Sequence, residues 1–367
     1  MSSPDITVRQ MLSGKHAFYE RLDEYDARMV KESRYEKALS KPIYTYDTEH
    51  KDNTEHKVWR IAKDIFSFII RLPHSLIGAL VVPASLQQLF NPTYANQQRR
   101  RLNPYNEGDW NYKRISVQTD GYTIDGYIVG KTSTLANGRW VLFSNGNAEF
   151  YEDQFVSHSF KSILTSLDGN GILFNYPGVG ASTGMPNRNA MAKAYRAMLN
   201  FLEDQDKGIG ATEIIGYGHS IGGAVQGEAL STHKLKEGVK YVFVKHQTFS
   251  DLDTLVSQIL LKPFGFLIKI FGWNMSSVES SKKLQAPEII MQTANVETYT
   301  DISKRPDLIS HDDVIPAKSS LARALLEDET CPKDNKYFMG IPEGHNSGLR
   351  DPSHLAEKIQ EILTKED

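Results

Sequence analysis

Between residues 139 and 341, short apolar runs alternate with runs at helical spacing, and this alternation most limits what the chain can fold into. The apolar runs are RWVLFS, GILFNY, TEIIGY, KYVFVKH, PEIIMQT and NKYFMGI, and the helical runs include residues 187–204 and 222–235. Strands that alternate with helices typically form a parallel sheet with helices on both faces. A β-hairpin is predicted before them, because YKRISVQT and YTIDGYIVG flank Asp120-Gly121. The sequence therefore predicts the α/β class.

A serine lies between two glycines at the junction of a predicted strand and a predicted helix. Residues 216–223 read GYGHSIGG, so Ser220 occupies a G-x-S-x-G frame. Gly218 and Gly222 lack Cβ atoms, which permits a sharp turn and close packing of a neighbouring element. In this strand–turn–helix context the pattern indicates a nucleophile elbow, and an ordinary turn is the alternative.

A nucleophilic serine needs a base within hydrogen-bond reach, and the base needs a carboxylate to orient it. His345, in EGHNSG, directly follows the last predicted strand and is the candidate base. The candidate acid lies in HDDVIP at residues 311–316, where Asp312 and Asp313 are both available and Asp301 is a more distant substitute. Solvent-exposed side chains without catalytic roles are the alternative at both places.

Two backbone N–H groups must also stabilise a developing oxyanion. In this architecture one belongs to the residue after the nucleophile, here Ile221, and the other to the loop after an early strand. That loop reads FSNGNAEFYED at residues 143–153, and Asn147 is the expected donor. A plain turn is the alternative for this loop.

Over about residues 110–367 the chain resembles the α/β-hydrolase superfamily. NGNA at 145–148 resembles the H-G-N-A oxyanion motif of its esterase, thioesterase and lysophospholipase branch, and NYPGVGASTG at 175–184 resembles the loop after the next strand. GHSIGG matches the elbow, DDVIP resembles the acid motif and GHN supplies the histidine. The resemblance implies an α/β-hydrolase fold with a catalytic triad of Ser220, Asp312 and His345, and it favours Asp312 over Asp313.

Two departures from the superfamily pattern stand out. Asn145 occupies the usual position of the histidine in H-G-N-A, and NVETYTDISKRPDLIS separates the acid motif from its strand. The N-terminal extension and the NYPGVG segment also resemble lipase-like hydrolases of intracellular bacteria, the SidB-like effector group.

Composition excludes some function classes. The net charge of −3 gives no case for nucleic-acid binding, and the scattered histidines predict neither a metal nor a cofactor. Cys331 is the single cysteine, which favours a reducing compartment. The N-terminus shows no secretory pattern, so we expect a cytoplasmic protein or one exported without a signal peptide. The sequence contains no run of 18 consecutive apolar residues, so we expect no transmembrane helix.

The chain is expected to comprise a helical N-terminal extension, residues 1–105, and an α/β-hydrolase domain, residues 106–367. Residues 58–90 are apolar at helical spacing and basic at their edges, which predicts either a helix packed on the domain or a helix at a membrane surface. Residues 251–280 stand where such hydrolases carry a cap, and either a lid or buried core helices would explain their apolar residues.

The expected reaction is hydrolysis of a carboxylic ester or thioester through an acyl-enzyme, without a cofactor. The two apolar segments favour a substrate with an apolar acyl part, and peripheral contact with a membrane. A catalytically silent binding or effector protein of the same fold is the first alternative. A serine peptidase of the superfamily is the second.

Overall fold

A computed structural model describes residues 43–47, 77–78, 80–86, 110–131, 133–156, 158–259 and 262–365. Ten strands form one sheet in the order β1-β2-β3-β5-β4-β6-β7-β8-β10-β9. The strands are β1 (Ile43–Thr45), β2 (Trp110–Thr119), β3 (Tyr122–Lys131), β4 (Arg139–Ser144), β5 (Asn170–Phe174), β6 (Glu213–His219), β7 (Lys240–His246), β8 (Glu288–Thr293), β9 (Thr300–Asp301) and β10 (Lys336–Ile341).

The centre of the sheet is parallel. Strands β5, β4, β6, β7, β8 and β10 pair in parallel, whereas β2, β3 and β9 pair antiparallel to a neighbour. Because parallel strands that are buried on both faces read as continuous apolar runs, the six runs of the sequence correspond to these six strands. The hairpin of β2 and β3 turns at Asp120 and Gly121, which both have positive φ as this type of turn requires. The predictions of the α/β class and of the hairpin are confirmed.

Nine helices are described. They are α1 (Tyr151–Val156), α2 (His158–Leu167), α3 (Arg188–Glu203), α4 (Ile221–Leu230), α5 (Leu252–Ile259), α6 (Lys262–Ile270), α7 (Ser277–Lys283), α8 (Leu321–Glu327) and α9 (Ser353–Thr364). Apolar residues of α3 and α4 form a cluster on one face of the sheet, and those of α2 and α9 form another on the opposite face. The domain therefore has the three layers expected of a parallel α/β sheet.

Helix α4 is shorter than the sequence predicts, since it ends at Leu230 rather than at 235. The Ser231 hydroxyl donates to the Glu228 carbonyl at 2.7 Å. This side-chain bond takes the place of the backbone N–H bond that a longer helix would supply.

Most of the predicted helical extension, residues 1–105, lies outside the described residues, and so does most of the 58–90 segment. Within the extension, Ile43–Thr45 form β1, which pairs in parallel with β2 at the edge of the sheet. Sequence analysis does not predict this strand. No described helix is long and apolar enough to cross a membrane.

Candidate active site

Ser220 joins β6 to α4 in a strained turn. Its backbone has φ 53° and ψ −120°, a conformation that residues with a Cβ atom rarely adopt. The Ser220 N–H donates to the His246 carbonyl oxygen at 2.9 Å, which ties the turn to the neighbouring strand β7. Strain of this kind persists only where the surrounding structure enforces it, and it concentrates at functional sites.

The glycines beside Ser220 are required by close packing. A Cβ atom on Gly222 would overlap the Ser144 carbonyl oxygen at the end of β4. A Cβ atom on Gly218 would lie 2.6 Å from the Cα of Gly223, closer than such atoms approach. The G-x-S-x-G pattern is therefore the steric condition for bringing α4 against the ends of β4 and β6.

His345 and Asp312 form a buried pair at the same edge of the sheet. His345 Nδ1 lies 2.9 Å from Asp312 Oδ2, and the His345 N–H donates to the Asp312 carbonyl at 2.7 Å. The second carboxylate oxygen of Asp312 accepts the N–H groups of Val314 and Ile315. Burial alone raises the pKa of Asp312, but its bond to His345 and these N–H donors bring the pKa below 3.8. The carboxylate is therefore ionised and can orient the imidazole.

The two other candidate acids lie elsewhere. Asp313 is exposed, with φ 79°, and its carboxylate lies beside Gly344 rather than beside the imidazole. Asp301 is in β9, at the far edge of the sheet, where its carboxylate accepts the Ser303 N–H. Of the three carboxylates, only Asp312 contacts His345 among the described hydrogen bonds.

The loop that carries His345 is held at its start by Glu343. The Glu343 carbonyl accepts the Thr293 hydroxyl at 2.7 Å and the Gln247 amide at 3.0 Å. Among the described residues, no hydrogen bond joins the Ser220 hydroxyl to the imidazole of His345. Contacts between a nucleophile and its base often tighten only in the complex with substrate.

The loop after β4 contains the predicted oxyanion donor Asn147. Asn145, at the usual histidine position, donates from its side-chain amide to the Phe174 carbonyl at 3.1 Å, which fastens the loop to the end of β5. The Asn145 carbonyl accepts the Tyr176 hydroxyl at 2.8 Å. Within the described part of the chain, neither the Asn147 N–H nor the Ile221 N–H donates a hydrogen bond. Ile221 opens α4, and first-turn N–H groups have no partner inside their own helix.

Helices α5 and α6 follow β7 and lie within residues 251–280, the segment for which a lid or buried core helices are expected. They pack closely at Gly265, where a Cβ atom would overlap the Ser257 hydroxyl. Exposed apolar side chains concentrate here: of the seven large ones in the described residues, five lie between Ile259 and Ile270. They are Ile259, Phe264, Phe266, Leu267 and Ile270. Lys262 and Lys269, on α6, are exposed as well.

The described part of the 58–90 segment connects the loop of Asn147 to helices α5 and α6. The Ala84 N–H donates to the Asn147 carbonyl at 3.5 Å. Gly78 lies so close to Trp273, three residues after α6, that a Cβ atom there would be 2.9 Å from the indole ring. Residues 77–86 therefore reach from the Asn147 loop to the end of α6.

Two residues that sequence analysis does not single out also contact the site. His219, the last residue of β6, lies between Glu149 and the His345 loop. The two residues are His219, in the GHSIGG motif, and Glu149, in FSNGNAEFYED. No rule of motif spacing connects one with the other. Together with Tyr217, His246 and His345 they line a cavity of about 240 Å³.

No group of three or more His, Cys, Asp or Glu side chains within the described ranges is arranged to hold a metal ion. A larger cavity, of about 370 Å³, lies at the β9–β10 edge. Asp301, the distant substitute acid, lines it, but Ser220, Asp312 and His345 do not.

This sheet topology, with a serine elbow after β6 and an Asp–His pair after β8 and β10, is that of the α/β-hydrolase fold. The fold has solved relatives: an α/β hydrolase from Vibrio vulnificus has a TM-score of 0.53 at 15% identity, covering 88% of this chain and 98% of the other. An esterase from Pyrococcus furiosus has a TM-score of 0.51 at 14% identity, covering 71% of this chain and 93% of the other.

The family model described as Chlamydia CHLPS protein (DUF818) matches residues 54–365, so the chain belongs to that family. No curated protein matches it.

Proposed function

We propose that this protein is a serine hydrolase that cleaves carboxylic esters or thioesters. The observation that carries the proposal is the strained Ser220 turn at the edge of the sheet where the ionised Asp312 orients His345. Acyl transfer requires an oriented imidazole, a serine nucleophile and two N–H donors, and the two N–H groups proposed here have no partner among the described residues.

In the proposed reaction, His345 Nε2 takes the proton of the Ser220 hydroxyl as the oxygen attacks the carbonyl carbon. The Asn147 and Ile221 N–H groups donate to the oxyanion of the tetrahedral intermediate. His345 then gives its proton to the leaving alcohol or thiol as the acyl bond breaks. Water, deprotonated by His345, then attacks the acyl-enzyme. His345 returns that proton to the Ser220 oxygen as the acyl–oxygen bond breaks, which releases the acid and restores the enzyme.

A fluorophosphonate probe tests this function directly, because it reacts with an activated serine and no substrate need be known. We expect labelling of the parent at Ser220, no labelling of Ser220→Ala, and strongly suppressed labelling of His345→Ala. An unlabelled, folded parent would instead favour the silent binding or effector protein. A panel of acyl esters, thioesters and peptides then separates the esterase from the peptidase.

We further propose a substrate with an apolar acyl part and peripheral contact with a lipid surface. The exposed apolar side chains of α5 and α6, flanked by Lys262 and Lys269, support both. Since each buried CH₂ group contributes about 0.8 kcal/mol, an apolar lid would favour longer acyl chains until the pocket ends. Membership of the SidB-like effector group stays a prediction from the sequence.

A further inference from the structure

His219 has a hydrogen-bond acceptor at each ring nitrogen. Its Nδ1 lies 3.3 Å from Glu149 Oε1, and its Nε2 lies 3.0 Å from the carbonyl oxygen of His345. The imidazole is 12% exposed. His219 precedes Ser220 in the chain, but its ring contacts the loops on either side of the serine.

Glu149 continues this chain of contacts to the oxyanion loop. Its Oε2 accepts the Gly146 N–H at 2.6 Å, next to the proposed donor Asn147. A Cβ atom on Gly146 would lie 3.1 Å from that Oε2 and 3.2 Å from His219 Nδ1, so the loop backbone packs directly on the pair. Gly146, Glu149, His219 and the His345 carbonyl therefore form a continuous polar connection between the two loops.

Only the doubly protonated imidazole can donate at both ends of this connection. A neutral ring has one N–H, so one nitrogen lone pair would face an acceptor oxygen. Burial by itself lowers the pKa of His219, but the Glu149 carboxylate and the His345 carbonyl raise it above 6.5. Partial burial raises the pKa of Glu149, and His219 brings it below 4.5. The contacts from both loops therefore stabilise protonated His219 beside ionised Glu149.

Other ionisable groups also face His219. The His246 and His345 rings lie 5.2 Å and 5.0 Å from its ring, centre to centre, and Asp312 acts on it through its charge. Burial, and then His219 and His345, lower the pKa of His246 well below 6.5, so His246 stays neutral. Asp153 lines the same cavity from α1. Among the described contacts of these carboxylates, it is that of Glu149 that reaches the His219 ring.

We propose that Glu149 and protonated His219 are positioning residues that hold the oxyanion loop and the His345 loop in register across Ser220. This inference rests on the proposed hydrolase function. When His219 loses its proton, one of its two bonds becomes a repulsion between lone pairs, and the loops separate. Activity therefore falls at alkaline pH.

Substitutions of Glu149 distinguish this coupling from a merely structural role. Glu149→Ala breaks the connection, and we expect kcat to fall about tenfold, part of what a lost oxyanion donor costs, with little change in KM. Glu149→Gln keeps it, since the amide oxygen can accept the Gly146 N–H while the amide nitrogen donates to Nδ1 of a neutral His219. We expect Gln to restore most of the kcat and to remove the alkaline decline.

The matched controls are His354→Gln, an exposed histidine on α9, and the parent, with kcat and KM measured on one short-chain ester across pH. A Glu149→Ala enzyme with parental kcat at every pH would overturn the proposal. So would an alkaline decline in Glu149→Gln at the same pH as in the parent.

Nitrogen-15 NMR of the histidines gives a readout that does not depend on activity, with His219→Gln assigning the signal. We expect both His219 nitrogens to be protonated at pH 7 in the parent, and the transition to move to lower pH in Glu149→Gln. A neutral His219 in the parent overturns the positioning pair. A parent that fluorophosphonate does not label, but whose His219 is charged, overturns the hydrolase function alone.

Discussion

Asp312 Oδ2 lies 2.9 Å from His345 Nδ1, although 33 residues separate the two in the sequence. Residues 295–310 leave the end of β8 and return to it just before Asp312, which brings Asp312 within reach of His345. The Ser310 N–H donates to the Thr293 carbonyl at 3.1 Å, so Asp312 emerges beside the end of β8. His345 follows β10, the parallel neighbour of β8, and both side chains therefore meet at one edge of the sheet.

The first prediction separates Asp312 from Asp313. Asp312→Asn places an amide where an acceptor must face the imidazole N–H, so the histidine adopts the wrong tautomer. We expect kcat/KM for an ester to fall by about 10⁴. Asp313→Asn is the control, since its carboxylate is exposed and asparagine tolerates its positive φ. Equal losses in the two variants, or a larger loss at 313, would remove Asp312 from the proposed triad.

Asp312 also predicts a pH dependence of stability. Because the folded pKa of Asp312 lies below 3.8, its ionised form stabilises the fold fully at higher pH. That contribution is lost as the pH falls through the folded pKa. We expect Asp312→Asn to be less stable than the parent at pH 6, and the gap to narrow below about pH 4. Urea unfolding of both proteins at pH 6 and below about pH 4 measures the difference in their free energies of unfolding. A difference that does not vary with pH contradicts the prediction.

The strands and the serine elbow could be predicted because their signals are local. Each of the six apolar runs falls on one strand, and the turn at Ser220 needs only its neighbouring glycines. The candidate acid is harder to predict from the sequence, because its position depends on the fold of residues 295–310, which include β9. The proposed roles of His219 and Glu149 depend on contacts between loops that are far apart in the sequence, and no periodicity or motif spacing encodes such contacts.

A buried ion cluster gives a test of the fold away from the site. Glu288 lies 3.0 Å from Lys245 and 3.6 Å from Lys336, and all three side chains are fully buried. Glu288→Gln removes the buried carboxylate that lies beside both ammonium groups, and we expect a loss of about 3–5 kcal/mol in the free energy of unfolding. Asp307→Asn, which breaks the exposed Arg305–Asp307 pair, is expected to leave the urea midpoint unchanged. A Glu288→Gln protein as stable as the parent would contradict this arrangement.

The packing of the elbow predicts the effect of one added methyl group. In Gly222→Ala the Cβ atom meets the Ser144 carbonyl, so α4 must move away from β4, and Ile221 with it. We expect destabilisation by about 1–3 kcal/mol or more, together with loss of fluorophosphonate labelling. Gly169→Ala is the control, because a Cβ atom there has only ordinary contacts, 3.4 Å or longer. Full labelling of Gly222→Ala would show that the added Cβ atom fits without displacing α4, which contradicts the prediction.

The last prediction concerns the exposed apolar side chains of α6. Phe266 and Ile270 are 64% and 59% exposed, so replacing both by serine removes little packing. If they contact lipid, the double variant should bind anionic vesicles more weakly and lose activity on long-chain esters while keeping activity on short-chain ones. Phe271→Ser is the matched control, since Phe271 packs against the core, and we expect a lower melting temperature there. Co-sedimentation with vesicles, and kcat/KM on p-nitrophenyl esters of increasing chain length, measure the two effects. Unchanged vesicle binding by a folded double variant would rule out a lipid surface at α6, and an unchanged preference for chain length would rule out a lid.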